Sequence, residues 1–201
     1  MELIGSLTSP YVRKVRIVLA EKNIPYQFTV DPPFGPDNQV AKVNPLGKVP
    51  ALITDDGQVL FDSRLLAEYL DGMDAPALIP VSGWARWRAK RWEVLADGIS
   101  DACAAIFLER KRPAAQQSPE WIERQQKKIE LGLQVAAHEL GEKPWCEGTS
   151  ITLADIALGC ALDYLSFRFP HDNWRELFPN LAGLADKLVQ RQSFIQTAPR
   201  D

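Results

Sequence analysis

Cysteine pairs, histidine clusters and long apolar runs are all missing from this chain of 201 residues. The cysteines, Cys103, Cys146 and Cys160, are odd in number and form no C-x-x-C pair, so three free thiols in a reducing cytosol are expected. His138 and His171 have no close Cys or His partner, which leaves no zinc motif. No apolar run approaches the roughly 18 residues of a membrane span. The opening residues carry neither a basic n-region nor a long apolar h-region, so no signal peptide is expected and the compartment is taken as the cytoplasm. The net charge of -3 argues against a general nucleic-acid binder, which needs a basic face.

What is present reads as two halves. Residues 2–6 form a short strand. Residues 10–23 form a helix, with Val12, Val15, Val18 and Leu19 at helical spacing, Ser9 as N-cap and Pro10 at the first position. Residues 26–30 are a second strand, and the Pro-rich stretch 31–38 is a loop. A short helix precedes Asn44. Strands at 49–54 and 59–61 flank an Asp55-Asp56-Gly57 turn, and a helix covers 63–72. The order βαβ, connector, ββα is that of a thioredoxin-like domain. After a Pro- and Gly-containing linker the strand signal stops. Helices are predicted over 84–112, 119–141, 152–169 and 180–192. The expected organisation is therefore α/β followed by all-α: 1–74 as the first domain, 75–83 as linker and 84–201 as a helical bundle. Thr152-Leu153-Ala154-Asp155 reads as a capping box.

Three segments carry chemistry. Ser9-Pro10-Tyr11-Val12 follows the first strand, where thioredoxin-fold redox proteins place C-x-x-C. Here Ser9 and Val12 stand at the cysteine positions, which removes dithiol exchange. Asn44-Pro45-Leu46-Gly47-Lys48-Val49-Pro50 opens the third strand. Asp62-Ser63 sits at the mouth of the next helix. Each alone is also a common cap or turn.

In this order and spacing the three resemble the glutathione site of the soluble glutathione S-transferases, nearest to bacterial serine-type enzymes, with the plant and omega-like classes related in motif. The resemblance spans nearly the whole chain. It implies a transferase with glutathione as co-substrate and no metal. Ser9 would donate a hydrogen bond to the thiolate, with the Thr8 and Tyr11 hydroxyls close by. Lowering a thiol pKa by about 2 units needs about 2.7 kcal/mol. A charge-assisted hydrogen bond supplies about 1.5–3, and a helix N-terminus about 0.3–2. The resemblance further implies a cis Val49–Pro50 bond, with the Val49 backbone pairing to the cysteinyl unit and Lys48 reaching the glycine carboxylate. Asp62 would take the γ-glutamyl ammonium, and Ser63 its carboxylate. The family more often has Glu or Gln where this chain has Asp62.

A hydrophobic electrophile would bind between the domains, with Tyr11, Phe34 and Phe107 as walls. Trp84-Ala85-Arg86-Trp87-Arg88-Ala89-Lys90-Arg91-Trp92 concentrates tryptophan and cations at a helix start. The expectation is tryptophans in the core or in a homodimer contact, with a partner surface compensating the cations. Two other functions stay open. One is a non-catalytic glutathione-binding scaffold on the same fold. The other is a thiol oxidoreductase, which would need Cys103 as nucleophile.

Overall fold

The computed structural model describes residues 1–33 and 38–200, so Phe34 lies outside the described residues. Two compact units emerge: Met1–Gly83 together with Val189–Asp201, and Trp84–Leu188.

The first unit holds a four-stranded sheet of order β2-β1-β3-β4. Its strands are β1 (Glu2–Gly5), β2 (Gln27–Val30), β3 (Ala51–Ile53) and β4 (Val59–Phe61). β1 and β2 are parallel, joined by α1 (Pro10–Glu21); β1–β3 and β3–β4 are antiparallel. The connector contains the one-turn α2 (Val40–Val43), and α3 (Ser63–Asp71) follows β4. This mixed sheet is the thioredoxin-like domain that the element order implied. α1 buries Val12, Val15, Ile17, Val18 and Leu19. α3 buries Leu66, Ala67 and Leu70. Gly5 allows α1 to lie close to β1, because a Cβ there would come within 2.6 Å of a Val12 methyl. Lys22, fully buried beyond α1, donates to the Asp71, Asp74 and Pro76 carbonyls and pairs with the Asp71 carboxylate, fixing the turn after α3.

The second unit is helical: α4 (Gly83–Arg110, with Gly83 itself in the first unit), α5 (Pro119–Leu140), α6 (Leu153–Arg168), α7 (Trp174–Leu177) and α8 (Pro179–Leu188). α6 is apolar nearly all round and buried from Leu153 to Leu162. Asp155, fully buried at its start, accepts from the Thr152 N–H at 2.8 Å, the Thr152 hydroxyl at 3.0 Å and the Cys146 N–H at 2.7 Å. Asp155 thus ties the Cys146 loop to the helix start.

The structure differs from the sequence expectation at the chain's end. The helix expected over 180–192 stops at Leu188, where its buried stripe of Leu181, Leu184, Ala185 and Leu188 runs out. A separate short helix, α9 (Gln192–Gln196), packs on α1, so 189–201 belong with the sheet and not with the bundle expected over 84–201. Polar partners far away in sequence account for this: Arg191 and Ser193 both bond Glu21.

Candidate functional site

One row of the sheet organises the three motif segments. Ile4 pairs with Ala51, and Ala51 with Phe61. The end of β1, the start of β3 and the end of β4 therefore share one end of the sheet. Ser9 lies in the turn after β1, Lys48 and Val49 just ahead of β3, and Asp62 and Ser63 directly after β4. Segments separate in sequence are brought together by register alone.

Ser9 is the N-cap of α1. Its backbone is extended and its Oγ accepts from the Val12 N–H at 3.3 Å. Accepting through a lone pair leaves the hydroxyl proton available as a donor. Ser118, in the same Ser-Pro context, caps α5 in the same way, accepting from the Trp121 N–H at 3.2 Å. Capping therefore explains why a serine stands at either position.

The loop before β3 is clamped by a residue whose part the sequence left unstated. Buried Asn44 donates through Nδ2 to the Lys48 carbonyl at 2.7 Å, and its Oδ1 accepts from the Leu46 N–H at 3.0 Å. Its own carbonyl accepts from the Gly47 N–H at 2.9 Å, and Gly47 takes a φ of 62°, a left-handed value that glycine adopts without strain. The Val49–Pro50 bond is cis, as the resemblance implied. Among the described residues the Val49 N–H and C=O make no hydrogen bond, and the exposed Lys48 ammonium makes no ion pair. A peptide backbone laid beside Val49 would find one donor and one acceptor unused.

Asp62 caps α3, its Oδ1 accepting from the Arg64 N–H at 2.9 Å. The Arg64 guanidinium also reaches both carboxylate oxygens at 3.3 Å. Burial would raise the Asp62 pKa. The Arg64 hydrogen bonds, with the charges of Arg64 and Lys14, outweigh that and hold it below the ordinary value. Asp62 therefore stands ionised at neutral pH. Its φ of 72° is unusual for a non-glycine residue, a strain of about 1–3 kcal/mol. Ser63 is 4% exposed, and its hydroxyl makes no hydrogen bond among the described residues. Lys14, 1% exposed, adds positive charge near Asp62; nothing in the apolar periodicity of α1 marks it.

Tyr11, half-buried in the first turn of α1, belongs to this same end of the first unit. Phe107 belongs to the second unit, where the Arg168 guanidinium lies 4.0 Å from its ring centroid and the Lys111 ammonium 4.5 Å. A groove of about 1180 Å³ bordered by Ile106, Leu165, Arg168 and Trp174 lies wholly in the second unit and shares no residue with the three segments. Cys103 is fully buried, and burial, with the Asp172 charge, pushes its thiol up to about 12. Both effects disfavour a nucleophilic thiolate there at neutral pH, so the thiol-exchange reading gains no support from Cys103. Among the described residues no cluster of His, Cys, Asp or Glu is placed to hold a metal ion, and no helix is long and apolar enough to cross a membrane.

The tryptophan-rich start of α4 divides. Trp92 is buried, whereas Trp84 and Trp87 are exposed. Three of the four cations expected to meet a partner surface find acidic partners within the same unit. Arg88 pairs with Glu147 at 2.9 Å, Lys90 with Glu93 at 2.5 Å and Arg91 with Glu139 at 2.7 Å.

Residues 3–76 match the sequence model of the glutathione S-transferase N-terminal domain, and residues 119–186 that of the C-terminal domain. The uncharacterized GST-like protein YibF of Escherichia coli is 44% identical over 200 residues, spanning 99% of this chain and 98% of YibF. A glutathione S-transferase of Methylobacterium radiotolerans, solved in complex with glutathione sulfonate, superposes with a TM-score of 0.96 at 41% identity, covering 100% of this chain and 95% of that one. One from Methylobacillus flagellatus, solved with GSH bound, gives 0.96 at 44% identity, covering 99% of each chain. The chain belongs to the glutathione S-transferase family.

Proposed function

We propose that this protein is a glutathione transferase in which the Ser9 hydroxyl donates a hydrogen bond to the glutathione sulfur and holds it as thiolate. The thiolate attacks an electrophilic carbon, forming the C–S bond, and the displaced group leaves with the electron pair. A hydroperoxide oxygen is an alternative electrophile at the same sulfur. No general base is required, because the hydroxyl and the α1 N-terminus together match the roughly 2.7 kcal/mol that a shift of about 2 units demands.

The observation that carries this reading is the single sheet end from which Ser9, Val49 and Ser63 all depart, each with hydrogen-bonding capacity unused. Val49 would pair with the cysteinyl backbone, Lys48 would meet the glycine carboxylate, and Ser63 with Asp62 would take the γ-glutamyl group. Tyr11 would border the electrophile. We read the exposed Trp84 and Trp87 as the contact face of a homodimer, which sedimentation of the wild type against a Trp84→Ser variant tests.

The decisive experiment is a pH titration of glutathione thiolate absorbance with protein in excess. A bound thiol with its pKa well below the free value supports the transferase. Binding without a shift gives the place to a scaffold that keeps the fold and lacks the chemistry. No binding at all sinks both.

A further inference from the structure

The helix that begins at Ser9 is gripped along its length by the last residues of the chain. Arg13 is the centre of this grip. Its N–H donates to the Ser9 carbonyl at 3.0 Å, closing the first intrahelical bond of α1. Its side chain, only 4% exposed, reaches the C-terminal segment. Nε donates to Thr197 Oγ1 at 3.5 Å, one Nη donates to the Phe194 carbonyl at 3.3 Å, and the guanidinium lies 5.3 Å from the centroid of the buried Phe194 ring. Thr197 is itself fixed, its hydroxyl donating to the Ser193 carbonyl at 2.7 Å. One turn on, Arg16 donates to the Gln196 carbonyl at 3.3 Å. At the far end of α1, Glu21 receives Arg191 at 2.9 and 2.6 Å and the Ser193 hydroxyl at 2.5 Å.

The charges are arranged with a sense. α9 has no basic residue in its own last turn, and α1 supplies two cations to that turn's carbonyls. The one anion of α1 in contact with the segment lies at the other end, by Arg191 and Ser193. These polar contacts come in addition to the valines and leucines that α1 buries.

We propose that Arg13 is a positioning residue for Ser9, and that the C-terminal segment 189–200 acts through it as a clasp fixing the first turn of α1. The inference rests on Ser9 being the group that meets the sulfur. A hydroxyl that must donate along one direction to a thiolate loses most of the bond's strength when its turn frays. The first turn of a helix is where fraying is cheapest. Anchoring the side chain of the residue whose amide holds Ser9 suppresses that fraying without adding any group to the site.

The test compares wild type with Arg13→Met, Arg13→Lys and Thr197→Val. Thr197→Val keeps the branched shape and removes the hydroxyl that receives Nε and donates to the Ser193 carbonyl, loosening the clasp with Arg13 itself intact, so it remains informative if Arg13→Met does not fold. Two readouts are taken on folded protein: the pKa of bound glutathione, and amide hydrogen exchange at Val12 and Arg13 relative to Leu66 in α3. The expected result is exchange at Val12 faster by about tenfold, with Leu66 unchanged. The bound thiol pKa should rise by about 0.5–1 unit, with glutathione affinity altered less, and Arg13→Lys should recover part of both. Equal loss of protection at Val12 and Leu66, or a thiol pKa that stays at the wild-type value while Val12 loosens, overturns the proposal. If wild type binds no glutathione, the transferase reading falls, and the exchange ratio alone decides whether the clasp exists.

Discussion

Replacing Ser9 by alanine separates two jobs that one hydroxyl performs, because Ser118 supplies the control. Both serines precede a first-turn proline, and each accepts the amide three residues on, at 3.3 and 3.2 Å. Loss of either cap costs about 0.5–2 kcal/mol, with Ser9 toward the upper end because its surroundings are more buried. Ser118→Ala should stop there, leaving glutathione chemistry as it was. Ser9→Ala should in addition forfeit the charge-assisted bond to sulfur, about 1.5–3 kcal/mol, and so raise the bound thiol pKa by about 1–2 units. The α1 N-terminus remains, so the pKa should stay somewhat below that of free glutathione. Denaturant midpoints give the first quantity, and thiolate absorbance against pH gives the second. Conjugation of a generic electrophile at a pH below the free thiol's should slow by about ten- to a hundredfold, following the thiolate fraction. If Ser9→Ala loses the same stability as Ser118→Ala and the thiol titrates as in wild type, Ser9 is a cap only and Thr8 or Tyr11 must be sought instead.

Other outcomes follow from buried polar groups. Burial would raise the Glu21 pKa, but hydrogen bonds from Arg191 and Ser193 and the Arg191 charge leave it lowered, so its contribution is complete above the ordinary glutamate value of about 4.3 and is lost as pH falls through the lower folded value. Melting temperatures of wild type and Glu21→Gln should therefore differ at neutral pH and converge in acid; a constant gap refutes the sign. Asp155→Ala should destabilise by about 2–5 kcal/mol, since the buried Cys146 amide and the part-buried Thr152 amide are left unpaired, with Asp155→Asn losing less in the same denaturant titration. Cys103, with its thiol near 12 and no exposure, should resist a thiol reagent until the chain unfolds, so rapid labelling of the native protein would contradict its burial.

The parts legible in the sequence are those whose cause is local. Ser9-Pro10 announced α1 because cap and first-turn proline are adjacent in sequence, and Thr152 to Asp155 announced α6 because its capping box is equally local. The three motif segments were legible through their resemblance, and the register row Ile4–Ala51–Phe61 then supplied the geometry that no single segment contains. What stayed hidden depends on distant partners. α9 is five residues long and could not hold itself; it is held by Glu21, Arg13 and Arg16 from the opposite end of the chain. The cations after Trp84 pointed toward an unseen partner because Glu139 and Glu147 are far away in sequence. Asn44 was visible as a letter of the motif, but its clamp on the Lys48 carbonyl exists only once the loop has turned.

Most of the groups assigned to glutathione are what local structure leaves over. Ser9 keeps its proton after its lone pair takes the Val12 amide, Val49 keeps both backbone groups ahead of the ladder, and Ser63 keeps its hydroxyl because Asp62 does the capping. Asp62 is different, since both its oxygens are already engaged by Arg64. The guanidinium part of that engagement is an exposed ion pair, worth about 0–1 kcal/mol. An incoming ammonium can displace the guanidinium at small cost, while the Arg64 amide at 2.9 Å keeps the carboxylate aimed. In the proposed role, the shorter Asp would be compensated by being held in orientation before the ligand arrives, with the backbone strain at φ 72° as the counterpart of that preorganisation.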